Sequence, residues 1–422
     1  MTRLVIRHGT VLDQQGERRA DVAIADGRIV GVGTDLPAED DDRVLDAAGS
    51  HVTPGFVDLH VHLREPGREE AETIETGSRA AALGGFTAVV AMPNTEPPQD
   101  SLPTIEFVRA QARRAGLCHV APAGCITLGR AGEQLAPLGE LAAAGVHLFT
   151  DDGNGVQDPG LMRRALEYAR PLGITLAQHC EVASLTRGAV MHEGSCCSHL
   201  GLPGWPAIAE ELMVHRDIEL SRLTGAPVHF LHLSTARSVA LVRAAKAEGL
   251  PVTAEATPHH FTLTDESLRT YDATFKVNPP LRTSADIAAI KDGLADGTID
   301  AIATDHAPHL PEGREAPRSG APWHARPADR CRLRHRASTC RSPTWWLRYL
   351  VPARSPRSTT CHGRPVAAGE AVSRRTSPGR RHRRRRRLPI DDIAAIQAAD
   401  QHIHAASTAE GAIQASPTQH HE

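Results

Sequence analysis

His60-Val61-His62 sets two imidazoles two residues apart at the end of a short apolar run. On an extended strand, residues i and i+2 face the same way, so both rings can point at one centre. The same residue types end four other apolar runs: Asp151-Asp152, His179, His232 and Asp305-His306. Imidazole and carboxylate together suit zinc and similar borderline divalent ions. Four imidazoles (His60, His62, His179, His232) and two carboxylates exceed what one tetrahedral ion takes. A carboxylate between two ions can bridge them, and a paired site can activate water. Taken singly, each histidine has a plainer explanation. The chain holds 24, and a buried histidine is more often a hydrogen-bonded core residue than a ligand. Five run-ends of ligand type, opened by His-x-His, form a pattern that this explanation does not cover.

Such residues act together only if the runs that carry them end at one place. Short β-rich runs cover 55–60, 87–91, 119–125, 146–150, 174–178, 228–232, 252–256 and 300–304. Between them lie Ala-, Leu-, Glu- and Arg-rich stretches with helical spacing, such as 70–83, 160–170 and 238–248. Strand–helix repetition predicts a parallel sheet, and eight repeats in about 250 residues predict a closed (β/α)8 barrel with its site at the C-terminal strand ends. The first 54 residues predict a small β domain. Its apolar runs are Leu4-Val5-Ile6, Asp21-Val22-Ala23-Ile24 and Arg28-Ile29-Val30-Gly31-Val32, and Asp40-Asp41-Asp42 is a solvated loop.

Composition narrows the class. The chain has 422 residues, 41% apolar and 23% charged, which supports a large core and excludes wholesale disorder. No apolar run reaches membrane-spanning length. The start, Met1-Thr2-Arg3-Leu4-Val5-Ile6-Arg7, turns to charge too early for a secretory signal. The eight cysteines are scattered, with only Cys196-Cys197 adjacent, so the expectation is a reduced, cytoplasmic protein.

Longer segments carry a resemblance. Val57-Asp58-Leu59-His60-Val61-His62-Leu63-Arg64-Glu65-Pro66-Gly67 resembles the signature of the cyclic amidohydrolases. Together with Ala91-Met92-Pro93-Asn94-Thr95, Phe149-Thr150-Asp151-Asp152-Gly153, Val277-Asn278-Pro279-Pro280-Leu281-Arg282 and Ala303-Thr304-Asp305-His306-Ala307-Pro308-His309, it is similar to dihydroorotases of the bacterial class I type. The resemblance covers about residues 1–316. It implies two zinc ions per chain, one held by His60, His62 and Asp305 and the other by His179 and His232, with Asp152 bridging them. Spacing from the flanking motifs favours Asp152 over Asp151. It further implies that Asp305 moves the proton, and that His62, Arg64, Asn94, Asn278 and His309 bind dihydroorotate, which is opened to N-carbamoyl-L-aspartate. Read without the resemblance, Arg64 is a surface salt-bridge residue and Asn278 a turn residue before Pro279-Pro280.

Hydantoinases and allantoinases are the nearest alternative. They bridge their metals with a carboxylated lysine, and the only lysines here are Lys246, Lys276 and Lys291, none near the fourth run. A non-catalytic subunit that partners an aspartate carbamoyltransferase is the alternative from another class, and the filled ligand positions speak against it. Self-association, or assembly with that transferase, is compatible with the resemblance. Thr257-Pro258-His259-His260 reads as supporting structure rather than ligand.

The chain changes character near 317. Of its 47 basic and 50 acidic residues, 20 Arg and 7 acidic residues lie in 317–422, which leaves 27 basic and 43 acidic before. The tail lacks periodicity and contains Arg380-Arg381-His382-Arg383-Arg384-Arg385-Arg386-Arg387. One reading is a nucleic-acid-binding arm. The favoured one is a shifted reading frame. Trp323-His324-Ala325 requires TGG-CAY-GCN, which one base later permits Gly-Met-Leu. The expected division is a β domain over 1–54, a barrel over 55–316 and an irregular, disordered tail over 317–422. A chain without the family's last helix and closing strands is expected to lose stability and activity.

Overall fold

The computed structural model describes residues 3–310. The tail expectations lie outside the described residues.

The N-terminal segment folds into two small sheets. Strands β1 (Leu4–Arg7), β2 (Thr10–Asp13), β3 (Gly16–Arg19), β4 (Asp21–Ala25), β5 (Arg28–Gly33), β6 (Arg43–Asp46) and β7 (His51–Val52) pair in the orders β5-β4-β1-β6 and β3-β2-β7. Val11, Ala20 and Val22 form their common core, with Ile6, Ile24 and Val52 against it. Asp40–Asp42 lies between β5 and β6, outside any strand.

Eight further strands are parallel. They are β8 (Phe56–Val61), β9 (Phe86–Ala91), β10 (His119–Pro122), β11 (Leu148–Thr150), β12 (Thr175–Gln178), and then, after the short pair β13 (Met191–His192) and β14 (Gly204–Trp205), β15 (Val228–Phe230), β16 (Val252–Ala256) and β17 (Ala301–Ile302). Bridges Gly124↔Phe149 and Val61↔His306 join the two arcs into a closed barrel. Helices α1 (Ile74–Leu83), α2 (Leu102–Ala115), α3 (Leu138–Ala143), α4 (Pro159–Leu172), α5 (Ala183–Thr186), α6 (Ser195–Leu200), α7 (Ile208–Thr224), α8 (Ala236–Ala247) and α9 (Ser284–Asp296) fill the connections. Local signals start and stop them. Thr73 caps α1, and Asp158 with Pro159 opens α4. Gly116 and Gly225 end α2 and α7 in the left-handed conformation. All eight predicted barrel strands are present, and the fold is the α/β barrel with a small N-terminal β unit that the sequence predicts.

The main core joins β11, β12 and β15 to α4 and α7 through Phe149, Leu176, Phe230, Met162, Leu166, Val214 and Ile218. Phe149 is fully buried two residues before Asp151. Phe149→Ala is expected to cost about 3–5 kcal/mol of stability, read as a lower denaturant midpoint. Five cysteines are described (Cys118, Cys125, Cys180, Cys196, Cys197), and all are buried. Among the described residues no helix is long and apolar enough to cross a membrane.

Two buried carboxylates lock strand ends. Asp58 accepts from the Thr304 amide at 3.0 Å, from Thr304 Oγ1 at 2.5 Å and from the His60 amide at 3.2 Å, while the His62 amide donates to His306 O at 2.8 Å. These bonds sew β8 to the segment after β17. Asp151 accepts from the Ile126 and Thr127 amides at 2.9 and 3.0 Å and from Thr127 Oγ1, tying the end of β10 to that of β11.

Candidate metal centre

The strand ends converge as the spacing predicts. His60 lies on β8 and His62 one residue beyond it, while Asp152, His179, His232 and Asp305 follow β11, β12, β15 and β17. Asp152 sits in the middle. Its Oδ2 lies 3.4 Å from His60 Nε2 and 3.3 Å from His62 Nε2. Its Oδ1 lies 3.4 Å from both His179 Nδ1 and His232 Nε2. Asp305 Oδ1 completes the first side, 3.1 Å from His62 Nε2 and 3.5 Å from His60 Nε2. Ligand atoms of His60, His62 and Asp305 fall within 4.8 Å of one another, as do those of His60, Asp152 and His232. Asp152 rather than Asp151 therefore faces the cluster. Asp151 is turned instead toward the Ile126 and Thr127 amides, from which it accepts at 2.9 and 3.0 Å.

Charges in the cluster shift one another. Burial disfavours a charged His60, yet Asp152, Asp305 and Glu255 outweigh it and hold its pKa well above the ordinary value. His62 is raised against its burial by Asp152 and Asp305. His179, also buried, is raised to about 9 by Asp152 and Glu181. Asp152 and Asp305 move the other way: burial raises both, but the imidazoles drive them well below the carboxylate range. Donors packed so closely require positive charge among them, which protons or metal ions supply.

Behind the cluster three of the four rings are held from their far side. His60 Nδ1 meets Glu255 Oε1 at 2.7 Å, His62 Nδ1 meets Asn94 Oδ1 at 2.7 Å, and His179 Nε2 meets Glu181 Oε2 at 3.1 Å. Glu181 Oε2 also accepts from Asn278 Nδ2 at 3.3 Å. Arg64 is buried rather than on a surface; its Nε donates to Pro308 O at 3.1 Å and its Nη2 lies 3.4 Å from His309 Nε2. Arg64 and His309 thus meet, Asn94 touches His62, and Asn278 reaches the cluster through Glu181. His260 is pinned between Thr257 Oγ1 and Pro279 O, at 2.7 and 2.9 Å, and so braces the Asn278 loop. Cys180 is buried beside Gln178 O.

Glu255, Glu181 and Arg130, whose Nη2 donates to Asp152 O at 2.6 Å, were not among the sequence candidates. Glu255 carried a signal: a lone charge inside the apolar run Val252–Ala256, where a buried carboxylate needs a partner.

A family model described as "Dihydro-orotase-like" matches residues 49–238. The chain is 52% identical over 323 residues to a dihydroorotase of Pelotomaculum thermopropionicum, covering 76% of this chain and 75% of that protein. The chain belongs to the dihydroorotase family. It is also 52% identical over 297 residues to a dihydroorotase of Mycobacterium tuberculosis, covering 70% of this chain and 69% of that one. A third dihydroorotase, from Streptomyces coelicolor, is 46% identical over 387 residues and covers 88% of both chains, so that similarity runs past residue 316. An L-hydantoinase of Arthrobacter aurescens superimposes with a TM-score of 0.65 at 22% identity, over 75% of this chain and 71% of that one, a likeness of fold alone. Dihydroorotases are cyclic amide hydrolases, and the His/Asp cluster sits where such an enzyme's metal-binding groups belong.

Proposed function

We propose that this chain opens dihydroorotate to N-carbamoyl-L-aspartate and closes it again, the closing direction serving pyrimidine synthesis, with two zinc ions at the strand ends. His60, His62 and Asp305 would hold one ion, His179 and His232 the other, and Asp152 both. The observation that carries this reading is the division of Asp152: Oδ2 faces His60 and His62, Oδ1 faces His179 and His232. The donors fit the ions. His60 Nε2 and Asp152 Oδ1 are buried without a hydrogen-bond partner, which costs stability unless a cation meets them. Where hydantoinases use a lysine, this chain has Asp152; Lys246 instead pairs with Asp300 on the outside, at 2.6 Å.

When bound, such ions lower the pKa of a water and polarise the carbonyl that it attacks. Asp305 takes the proton of that water at its carboxylate and delivers it to the leaving ring nitrogen. Its side chain is 14% exposed against 4% for Asp152, so the substrate side is open to Asp305 and closed to the bridge. Arg64 grips the substrate carboxylate with its planar fork, oriented by Pro308 O, and His309, Asn94, Asn278 and His62 complete the binding surface. Arg64→Lys, which keeps charge but loses the fork, is expected to raise KM about 10–100-fold with a smaller change in kcat, measured by steady-state kinetics. The same reading divides the chain at about 54 and 316.

The deciding experiment is ring opening of dihydroorotate by the full chain after chelation and again after zinc is restored. Activity lost and regained at two zinc ions per chain is expected. Turnover that survives complete metal removal, or hydantoin accepted in place of dihydroorotate, would overturn the reading.

A further inference from the structure

Strand β16 is the seventh strand of the barrel and contributes none of the residues that face Asp152. Its Glu255 is nevertheless fully buried. Oε1 lies 2.7 Å from His60 Nδ1 and accepts from the His232 amide at 3.3 Å. Oε2 lies 3.2 Å from His229 Nε2, and His229 Nδ1 lies 2.8 Å from Thr253 Oγ1. His60 and His232 stand on opposite sides of the Asp152 carboxylate. A single buried carboxylate therefore holds one residue from each half of the cluster, His60 by its ring and His232 by its backbone amide.

The contacts differ in kind. A neutral imidazole carries one N–H. With that proton on Nδ1 and donated to Glu255, His60 turns its Nε2 lone pair toward Asp152 and Asp305, and Nε2 is the buried atom without a hydrogen bond. At His232 the grip is on the backbone. Its φ is +32°, an uncommon conformation for a residue with a side chain, and the amide bond to Glu255 helps keep it there. The outer pair closes the network: Thr253 Oγ1 donates to His229 Nδ1, and His229 Nε2 donates to Glu255 Oε2. Partners in this position orient metal-binding imidazoles and raise their basicity.

We propose that Glu255 is a positioning residue for both halves of the metal centre, setting the His60 tautomer and the His232 backbone so that the chain binds its divalent ions tightly, with His229 and Thr253 as its outer support. This rests on the metal reading given above.

The test uses metal-free full chain titrated with zinc against a chelating dye, for the parent, Glu255→Gln and His229→Asn. Glu255→Gln is expected to weaken zinc binding about 10–100-fold, and His229→Asn, one contact further out, by a smaller factor. Melting curves with and without zinc give the second readout. A residue that only supported the fold would lower both melting temperatures equally. Weakened zinc binding instead narrows the gap between them. Zinc affinity of Glu255→Gln within twofold of the parent, with the gap unchanged, overturns the proposal. Should that variant not fold, His229→Asn decides, and affinity within twofold of the parent overturns it. A parent chain that binds no zinc overturns the metal reading and this proposal together, whereas a parent that binds two beside an unaffected Glu255→Gln overturns only this one.

Discussion

Asparagine at position 305 is expected to lower kcat for dihydroorotate by about 10³-fold or more, within the span of a lost general acid–base group with some loss of metal contact added. The substitution keeps size and removes the ability to carry a proton. Asp305 is the cluster carboxylate with an open side, and its Oδ1 is 3.1 Å from His62 Nε2. KM should change little, because Arg64 and His309 lie elsewhere on the rim. Zinc content is to be measured on the same sample. A variant that holds full zinc and more than a tenth of the parent's kcat would remove Asp305 from the proton path.

Asp152→Asn should act through metal first and rate second. The parent carboxylate faces four imidazoles with two oxygens, and an amide offers one oxygen acceptor and no charge. Bound zinc is expected to fall from two per chain to one or fewer, with kcat down by about 10³-fold or more, because the variant would lose the charged donor that faces both pairs of imidazoles. Elemental analysis beside kinetics separates the two effects. Two zinc ions retained by Asp152→Asn would show that the bridge lies elsewhere. Asp151→Asn is the natural comparison, because that carboxylate joins β10 to β11 and does not face the cluster.

The barrel was legible because each of its strands is a short apolar run followed by a helical stretch, and a parallel strand buried on both faces has little choice of composition. Its boundaries were read slightly long. The run 228–232 is paired only over Val228–Phe230, since His232 bends away with positive φ. Strands β2, β3, β6 and β7 lie outside the apolar runs that the sequence marks. Gly16-Glu17-Arg18-Arg19 and Arg43-Val44-Leu45-Asp46 are polar or half-exposed, and they become strands through pairing with β2 and β1 rather than through their own pattern. The insertion that carries α5, β13, α6 and β14 was not separated either, being too short in each piece to show a period. At the site, residue types and strand-end positions were enough to select His60, His62, His179, His232 and Asp305. The choice between Asp151 and Asp152 depends on which of them turns toward the cluster, and the bonds of Asp151 to Ile126 and Thr127 fix that. The role of Glu255 is not legible in the sequence because its partners, His60 and His229, are 195 and 26 residues away in the chain.

The seam sewn by Asp58, Thr304, His62 and His306 has a consequence for cooperativity. The strand at one lip presents His60 and His62, and the segment at the other presents Asp305, so the bonds that shut the cylinder also bring the Asp305 carboxylate and the imidazoles into register. Hydrogen exchange at the amides of His62 and Thr304 thus reports a single opening that costs fold and chemistry together. If His60, His62 and Asp305 hold a metal ion as proposed, its binding is expected to slow that exchange at each lip by the same factor.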